Sequence, residues 1–276
     1  MSLRRDNFCR EQKPVDMEPP VSMYLAVRSI FRWMLAGGFF FSVCPVLVLL
    51  GIFFDPRKND WPQRWLSRTA VRLAGARVEV RRSPGFDANR VCFFVSNHVN
   101  LFDPFVLYSV TPQFMRGLEL ESHFRIPVYG WLMKRFGNVP VPGANRPSDL
   151  KRMWRLTRAA ISRGVSLAAF PEGGRTITGR VGPFRDGIFR MAREFGTPIT
   201  PVSIVGSFTF NRKTSWILRP STIIVWLHDT IETDGYSKGE IAQLRDRVWK
   251  TVAGPVHASL DDGVVMEPEA QAGAKV

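Results

Sequence analysis

The chain has 276 residues, 45% of them hydrophobic, which is enough for one sizeable domain with an appendage and too apolar for a disordered chain. Its 38 Lys and Arg against 24 Asp and Glu give a formal charge of +14, which points to acidic partners: nucleic acid, anionic lipid headgroups or phosphorylated ligands. The three cysteines, Cys9, Cys44 and Cys92, contain no Cys-x-x-Cys pair, so they offer neither a disulfide framework nor a zinc signature, and they suit a reducing interior.

Residues 1–21, with Pro14, Pro19 and Pro20, read as a disordered tail. Arg4-Arg5 is followed by Asp6, Asp16 and Glu18 before any apolar run, which is unlike an export signal. Residues 34–54 then run 21 positions without a charge, long enough to cross a hydrocarbon core of about 30 Å. Gly37-Gly38 and Pro45 divide this run, so a helical hairpin dipping into one leaflet competes with a single membrane helix, and a buried core helix is a third reading. Arg28 and Arg32 before the run, with Arg57, Lys58, Arg64 and Arg68 after it, favour the hairpin with both ends on the cytoplasmic side. The stretch 61–73 alternates apolar and arginine positions at near-helical spacing and opens with Trp61 and Trp65. It suits a helix in an anionic headgroup region, although any surface helix shares the pattern. Residues 22–75 are therefore expected to form N-terminal membrane-associated helices.

From residue 76 strands and helices alternate. Strands are expected at 77–81, 91–96, 139–141, 165–170, Ile199–Val205 and 222–227, and helices from Asp103, over 148–163 and over 183–195. The helix at 148–163 places Leu150, Met153, Trp154, Thr157 and Ile161 on one face and stops at Gly164. Ser237-Lys238-Gly239-Glu240 is a capping box that opens the last long helix. This order reads as α/β, a mixed central sheet flanked by helices. Residues 76–262 make one domain without internal repeats, and 263–276 are a second disordered tail.

Within that domain, Ser96-Asn97-His98-Val99-Asn100-Leu101-Phe102-Asp103-Pro104 places a histidine five residues before a carboxylate. An imidazole can take a proton from a hydroxyl near neutral pH, and a carboxylate behind it fixes the tautomer and stabilises the imidazolium. Five positions along a regular helix are roughly 500° of rotation, which separates the two side chains. A strand ending near Ser96 and a helix opening at Asp103, with Asp103 as N-cap and Pro104 at the first helical position, can instead fold them onto each other. Taken alone, the pair reads more simply as a cap and a loop histidine. Phe170-Pro171-Glu172-Gly173-Gly174-Arg175-Thr176 follows another strand and lies where open α/β sheets bind ligands. Its glycines admit close backbone approach and Arg175 offers a forked cation for phosphate, but by itself the stretch also describes a solvated turn.

Together the two stretches resemble the glycerolipid acyltransferase family: Asn97-His98 with Asp103, then Phe-Pro-Glu-Gly-x-Arg some seventy residues later. Ile126-Pro127 with Gly130-Trp131-Leu132 and Gly137, then Pro183-Phe184-Arg185-Asp186-Gly187 and Thr197-Pro198-Ile199-Thr200-Pro201-Val202, match the family's remaining segments in order, so that the resemblance covers roughly residues 90 to 205. It implies transfer of a fatty acyl group from acyl-CoA or acyl carrier protein to the sn-2 hydroxyl of 1-acylglycerol-3-phosphate, giving phosphatidate, with no cofactor beyond the thioester co-substrate. It makes His98 the general base and Asp103 its orienting carboxylate, and it sets Asn97, Glu172, Gly173, Gly174 and Arg175 on the substrate. A thioester is already activated, and the chain has no Gly-x-Ser-x-Gly elbow, so direct attack needs only a base. Two departures stand out. The phosphate-binding arginine expected just after 139–141 appears only at Arg146, and Gly174 stands where threonine is common. These keep open another lysolipid acceptor, such as lyso-ornithine lipid, and a non-catalytic basic protein bound to an anionic membrane surface remains a reading of another class. Nucleic acid is not an expected partner, because no recognised motif accompanies the charge. No metal is expected either, since His123, His228 and His257 are scattered. The expected location is the inner (cell) membrane with the catalytic domain on the cytoplasmic side.

Overall fold

The computed structural model describes residues 21–58, 60–143 and 146–261; the expected tails lie outside them, apart from Val21. The chain opens with α1 (Met23–Phe53), whose N-cap Ser22 accepts the Leu25 N–H on its hydroxyl at 3.2 Å. It is one continuous helix of 31 residues, about 46 Å long. The hairpin reading of 34–54 is thus corrected: the helix runs through Gly37-Gly38 and keeps Pro45 in its interior. One missing N–H is tolerated where the rest of a long helix is held by packing, and this helix is held along its length. Ser29 bonds the backbone at Leu218, Trp33 Nε1 donates to the Trp216 carbonyl at 2.7 Å, Phe40 meets Phe105 edge-on, and Gly51 lies against Arg135. Its opposite face, including Ile30, Met34, Phe41, Leu49 and Phe53, is exposed and apolar, and its length and composition suffice to cross a membrane.

Helix α2 (Trp61–Ala74) packs against α1 and ends at Gly75, whose φ of 99° is left-handed and whose missing Cβ leaves room for the Arg32 guanidinium. There follow β1 (Ala76–Arg82), β2 (Phe93–Ser96), α3 (Asp103–Val110), β3 (Met115–Leu120), a 3₁₀ turn at Glu121–Arg125, α4 (Tyr129–Arg135), β4 (Val139–Val141), α5 (Pro147–Ser162), β5 (Ser166–Ala169), α6 (Gly187–Phe195), β6 (Ile199–Val205), α7 (Ser207–Phe210), β7 (Ser221–Leu227) and α8 (Ile241–Asp261). The seven strands lie in the order β1-β7-β6-β2-β5-β3-β4, parallel throughout except where β6 meets β7. This is the expected mixed sheet.

Strands β2, β5 and β6 are buried on both faces, as their unbroken apolar runs require. Successive residues go to opposite layers. Phe93, Val95, Leu167 and Ile199 pack with Met153 of α5, Ile188 of α6 and Val248 of α8, whereas Phe94, Ala168 and Val202 pack with Ala36, Val71 and Val106 of α1, α2 and α3. Helix α6 begins at Gly187 rather than at 183, because 183–186 form a loop in which the Arg185 N–H donates to the Pro171 carbonyl at 3.0 Å. The Ser237 capping box is present, opening a 3₁₀ turn that leads into α8.

His228 sits in the core beyond β7. The Ser203 hydroxyl donates to the Val252 carbonyl at 2.8 Å and so accepts from His228 Nε2, also at 2.8 Å. Burial pushes this imidazole down to about 4, against a smaller upward pull from Asp229. The unfolded chain therefore binds a proton between about pH 6.5 and 4 that the folded chain does not, so this contribution to stability is complete above 6.5 and is lost as pH falls toward 4. Urea midpoints measured across that window should show His228→Gln with a shallower decline than the parent, by up to about 3 kcal/mol; parallel curves would count against the assignment.

Candidate active site

Adjacent parallel strands β2 and β5 release their chains at the same edge of the sheet, with β6 on the other side of β2, and this edge brings the two sequence stretches together. His98 Nδ1 stands 3.0 Å from Asp103 Oδ2. The same oxygen accepts the N–H groups of Val99 at 2.6 Å and Asn100 at 2.8 Å, and Oδ1 accepts the Ser207 hydroxyl. Asp103 is fully buried, so every one of these donors replaces water it has lost. It is the first residue inside α3, with Phe102 in the cap position and Pro104 one place further in, which corrects the N-cap expectation by one residue. An acceptor-only carboxylate on Nδ1 fixes the proton there and leaves Nε2 as the basic nitrogen.

Glu172 holds the backbone of the histidine in place. Its Oε1 accepts the His98 N–H at 2.7 Å and its Oε2 the Gly182 N–H at 2.9 Å, while the Thr176 N–H donates to the His98 carbonyl at 3.0 Å. Burial, against the opposing pull of the two backbone donors, leaves the Glu172 carboxyl raised to about 8. Asn97 is likewise committed to backbone: Nδ2 donates to the Ile204 carbonyl at 3.0 Å and Oδ1 accepts the Ile204 N–H at 2.8 Å. Both side chains are engaged in positioning His98 within the fold.

Gly173 has φ 72°, and the Arg185 guanidinium occupies the space a Cβ would need, so only glycine fits. Gly174 is exposed with open space beside it. Arg175 lines a cavity of about 400 Å³ together with His98, and its carbonyl accepts Lys213 Nζ at 3.0 Å. Arg175, Arg185 and Lys213 thus surround the second loop with positive charge. Arg146 is not brought into this group: it precedes α5, largely exposed, with Nε paired to Asp149 at 3.1 Å. The sequence reading missed Ser207 and Lys213; a lone serine after a strand carries no pattern, and its value appears only when β6 is set beside β2.

Apart from Glu119 and His123, whose Oε2 and Nδ1 lie 3.0 Å apart, the rest of the cavity wall is mostly apolar. Trp33, Gly37 and Phe40 of α1 face Leu101, Phe105 and Ile126 across it, and Phe170 stacks on the His98 ring at 4.4 Å. The arrangement offers a base with an oriented carboxylate, adjacent cations and an apolar chamber, which is what proton removal from a hydroxyl beside a hydrophobic substrate requires.

Residues 77–205 match the family model described as Acyltransferase. A chloroplastic 1-acyl-sn-glycerol-3-phosphate acyltransferase of Brassica napus is 35% identical over 119 residues, 42% of this chain and 33% of that protein. The 1-acyl-sn-glycerol-3-phosphate acyltransferase of Haemophilus influenzae is 28% identical over 214 residues, 75% of this chain and 88% of that one. The match covers between 33% and 60% of the length of the plant relatives. The crystal structure of PlsC, the 1-acyl-sn-glycerophosphate acyltransferase of Thermotoga maritima, superposes with a TM-score of 0.70 at 20% identity, covering 87% of this chain and 97% of that one. The resemblance in sequence and the expected fold are both borne out.

The hydrogen bonds at Asp103 predict unequal costs for its removal and for that of its partner. Asp103→Ala orphans several buried donors and should lower the unfolding free energy by about 3 kcal/mol or more, whereas His98→Ala, at the cavity wall, should cost under about 1 kcal/mol. Denaturant titration of the two variants decides, and equal losses would contradict the hub role.

Proposed function

From an acyltransferase-family domain over residues 77–205, we propose that this chain transfers a fatty acyl group from a thioester, acyl-CoA or acyl carrier protein, to the sn-2 hydroxyl of 1-acylglycerol-3-phosphate, giving phosphatidate. The observation that carries the reading is the His98–Asp103 pair at 3.0 Å on the wall of an apolar cavity that Arg175 also lines. His98 Nε2 takes the proton of the attacking hydroxyl, the oxygen adds to the thioester carbonyl, and Asp103 stabilises the imidazolium. Collapse of the tetrahedral adduct breaks the C–S bond, and the thiolate takes the proton back from His98. The N–H groups of Val99 and Asn100 are spent on Asp103 and do not serve the oxyanion.

Arg175, with Arg185 and Lys213 near it, supplies the cations for the acceptor phosphate, and the apolar chamber suits a fatty acyl chain. The exposed apolar face of α1 beds the protein in the membrane with α1 lying along the domain, and we place the domain on the cytoplasmic side of the inner membrane, facing an anionic surface. The outlying position of Arg146 supports a second reading, O-acyl transfer to a different lysolipid such as lyso-ornithine lipid.

A labelled acyl-donor assay over a panel of lysolipids, with acyl-CoA and acyl carrier protein in parallel, tests these readings. Lysophosphatidate should be the best acceptor, and His98→Ala should lower transfer by about a hundred- to ten-thousandfold while membrane binding is retained. Strict preference for an acceptor without phosphate would select the second reading. Transfer unaffected by His98→Ala would leave a basic membrane-binding protein.

A further inference from the structure

The cavity in front of His98 shares Pro104, Phe105, Glu119 and Tyr129 with a second, smaller pocket of about 90 Å³. Phe170, stacked on the His98 imidazole, forms part of that pocket's wall, so the pocket adjoins the outer cavity behind the base. The wall mixes apolar residues, Leu66, Met115 and Leu132 among them, with polar ones, including Ser67, Tyr108, Glu119 and Asn138. Arg116 and Gln63 differ from the other polar residues of this wall in each holding a buried nitrogen without a partner. Arg116 is 3% exposed, its Nη1 donates to the Tyr108 hydroxyl at 2.6 Å and to the Met115 carbonyl at 2.7 Å, and its Nε donates to the Phe136 carbonyl. Its remaining nitrogen, Nη2, is buried without a partner. Gln63 is 8% exposed, its Oε1 lies 3.5 Å from the Tyr108 hydroxyl, and its Nε2 is also buried without a partner. Two unmet donors, one on a cation, thus belong to residues lining one pocket. Such donors are costly unless an acceptor meets them, and a hydrocarbon chain has none.

We propose that this inner pocket is a binding site for an oxygen function, a hydroxyl or keto group, carried on the acyl chain away from the thioester and held by Arg116 Nη2 and Gln63 Nε2. The proposal rests on the acyl-transfer reading in taking a fatty chain as the occupant of the outer cavity. A site built around polar donors rejects the analogue that leaves them unpaired more strongly than an apolar pocket rejects an extra methylene. The inner pocket would therefore set a chemical preference among acyl chains.

The test is displacement of a fluorescent fatty acid from the full chain in detergent micelles by sixteen-carbon acids that differ only in the presence and position of a hydroxyl. At one or more positions the hydroxylated acid should bind about tenfold tighter than the plain one, and Gln63→Leu should reduce that ratio to about twofold or less. Gln63→Met serves as the second variant, with a thermal melt of each to show that it is folded. If no hydroxylated acid binds tighter than the plain acid, water meets the donors and the proposal is overturned; a preference that survives in a folded Gln63 variant overturns it equally. Transfer from an unsubstituted palmitoyl thioester is measured alongside. Transfer without hydroxyl preference removes this inference alone, while hydroxyl-selective binding without any transfer removes the reaction and leaves the site.

Discussion

A fully buried carboxylate has to be met by donors, and Asp103 collects its donors from several segments at once. Val99 and Asn100 wrap the chain after β2 around it. His98 is drawn to it through Nδ1, and Ser207 reaches it from the chain after β6. Asn100 extends the connection, donating through Nδ2 to both the hydroxyl and the carbonyl of Ser207. The loop conformation, the orientation of the imidazole and the docking of α7 are therefore one problem with one solution. Removing the carboxylate would leave the loop without the acceptor around which it turns.

The second constraint is applied to the backbone of His98 from the other side. Glu172 takes its N–H and Thr176 gives to its carbonyl, so the loop after β5 grips the same residue that Asp103 orients. Glycine at 173 lets this loop turn while the Arg185 guanidinium lies against it. Neither the backbone nor the side chain of His98 is left to solvent alone, so the imidazole is held in one orientation. The parallel pairing of β2 with β5 makes this possible, because both loops then leave the sheet at the same edge.

Much of this was legible in the sequence because fully buried strands and amphipathic helices write their pattern locally. The strands 91–96, 165–170 and Ile199–Val205 and the helix near 148–163 fall in this class, whereas the pairing of His98 with Asp103 was legible only through the family resemblance. β3 was not legible, since Met115-Arg116-Gly117-Leu118-Glu119-Leu120 mixes charge with apolar residues and its burial depends on β5 and β4 as neighbours. Glu172 was placed on the substrate by the family resemblance alone, since its own stretch reads equally as a solvated turn. Its engagement with two backbone N–H groups depends on Gly182, a position no local spacing connects to it. The expected hairpin at 34–54 gave way for a related reason: Gly37-Gly38 and Pro45 are weak points in an isolated helix but not in one supported along its length by a domain.

That support bears on the chamber beside His98, whose outer wall consists partly of Trp33, Gly37 and Phe40 and so exists only while α1 is docked. Apolar contact alone is non-directional and would hold two helices loosely on the surface of the domain. The chain fixes α2, and α1 through it, with a polar anchor. Asp60 pairs with Arg64 at 2.7 Å and accepts the Tyr108 hydroxyl, and Arg64 Nη2 donates to the Gln113 carbonyl at 2.8 Å. A partly buried ion pair of this kind contributes little net stability compared with well-packed apolar residues, yet losing one partner is costly, so its effect is to make one docking position much better than its neighbours. Directional bonds at the root of α2 thus set the register of the helices against α3 and β3, and that register determines the shape of the chamber beside His98.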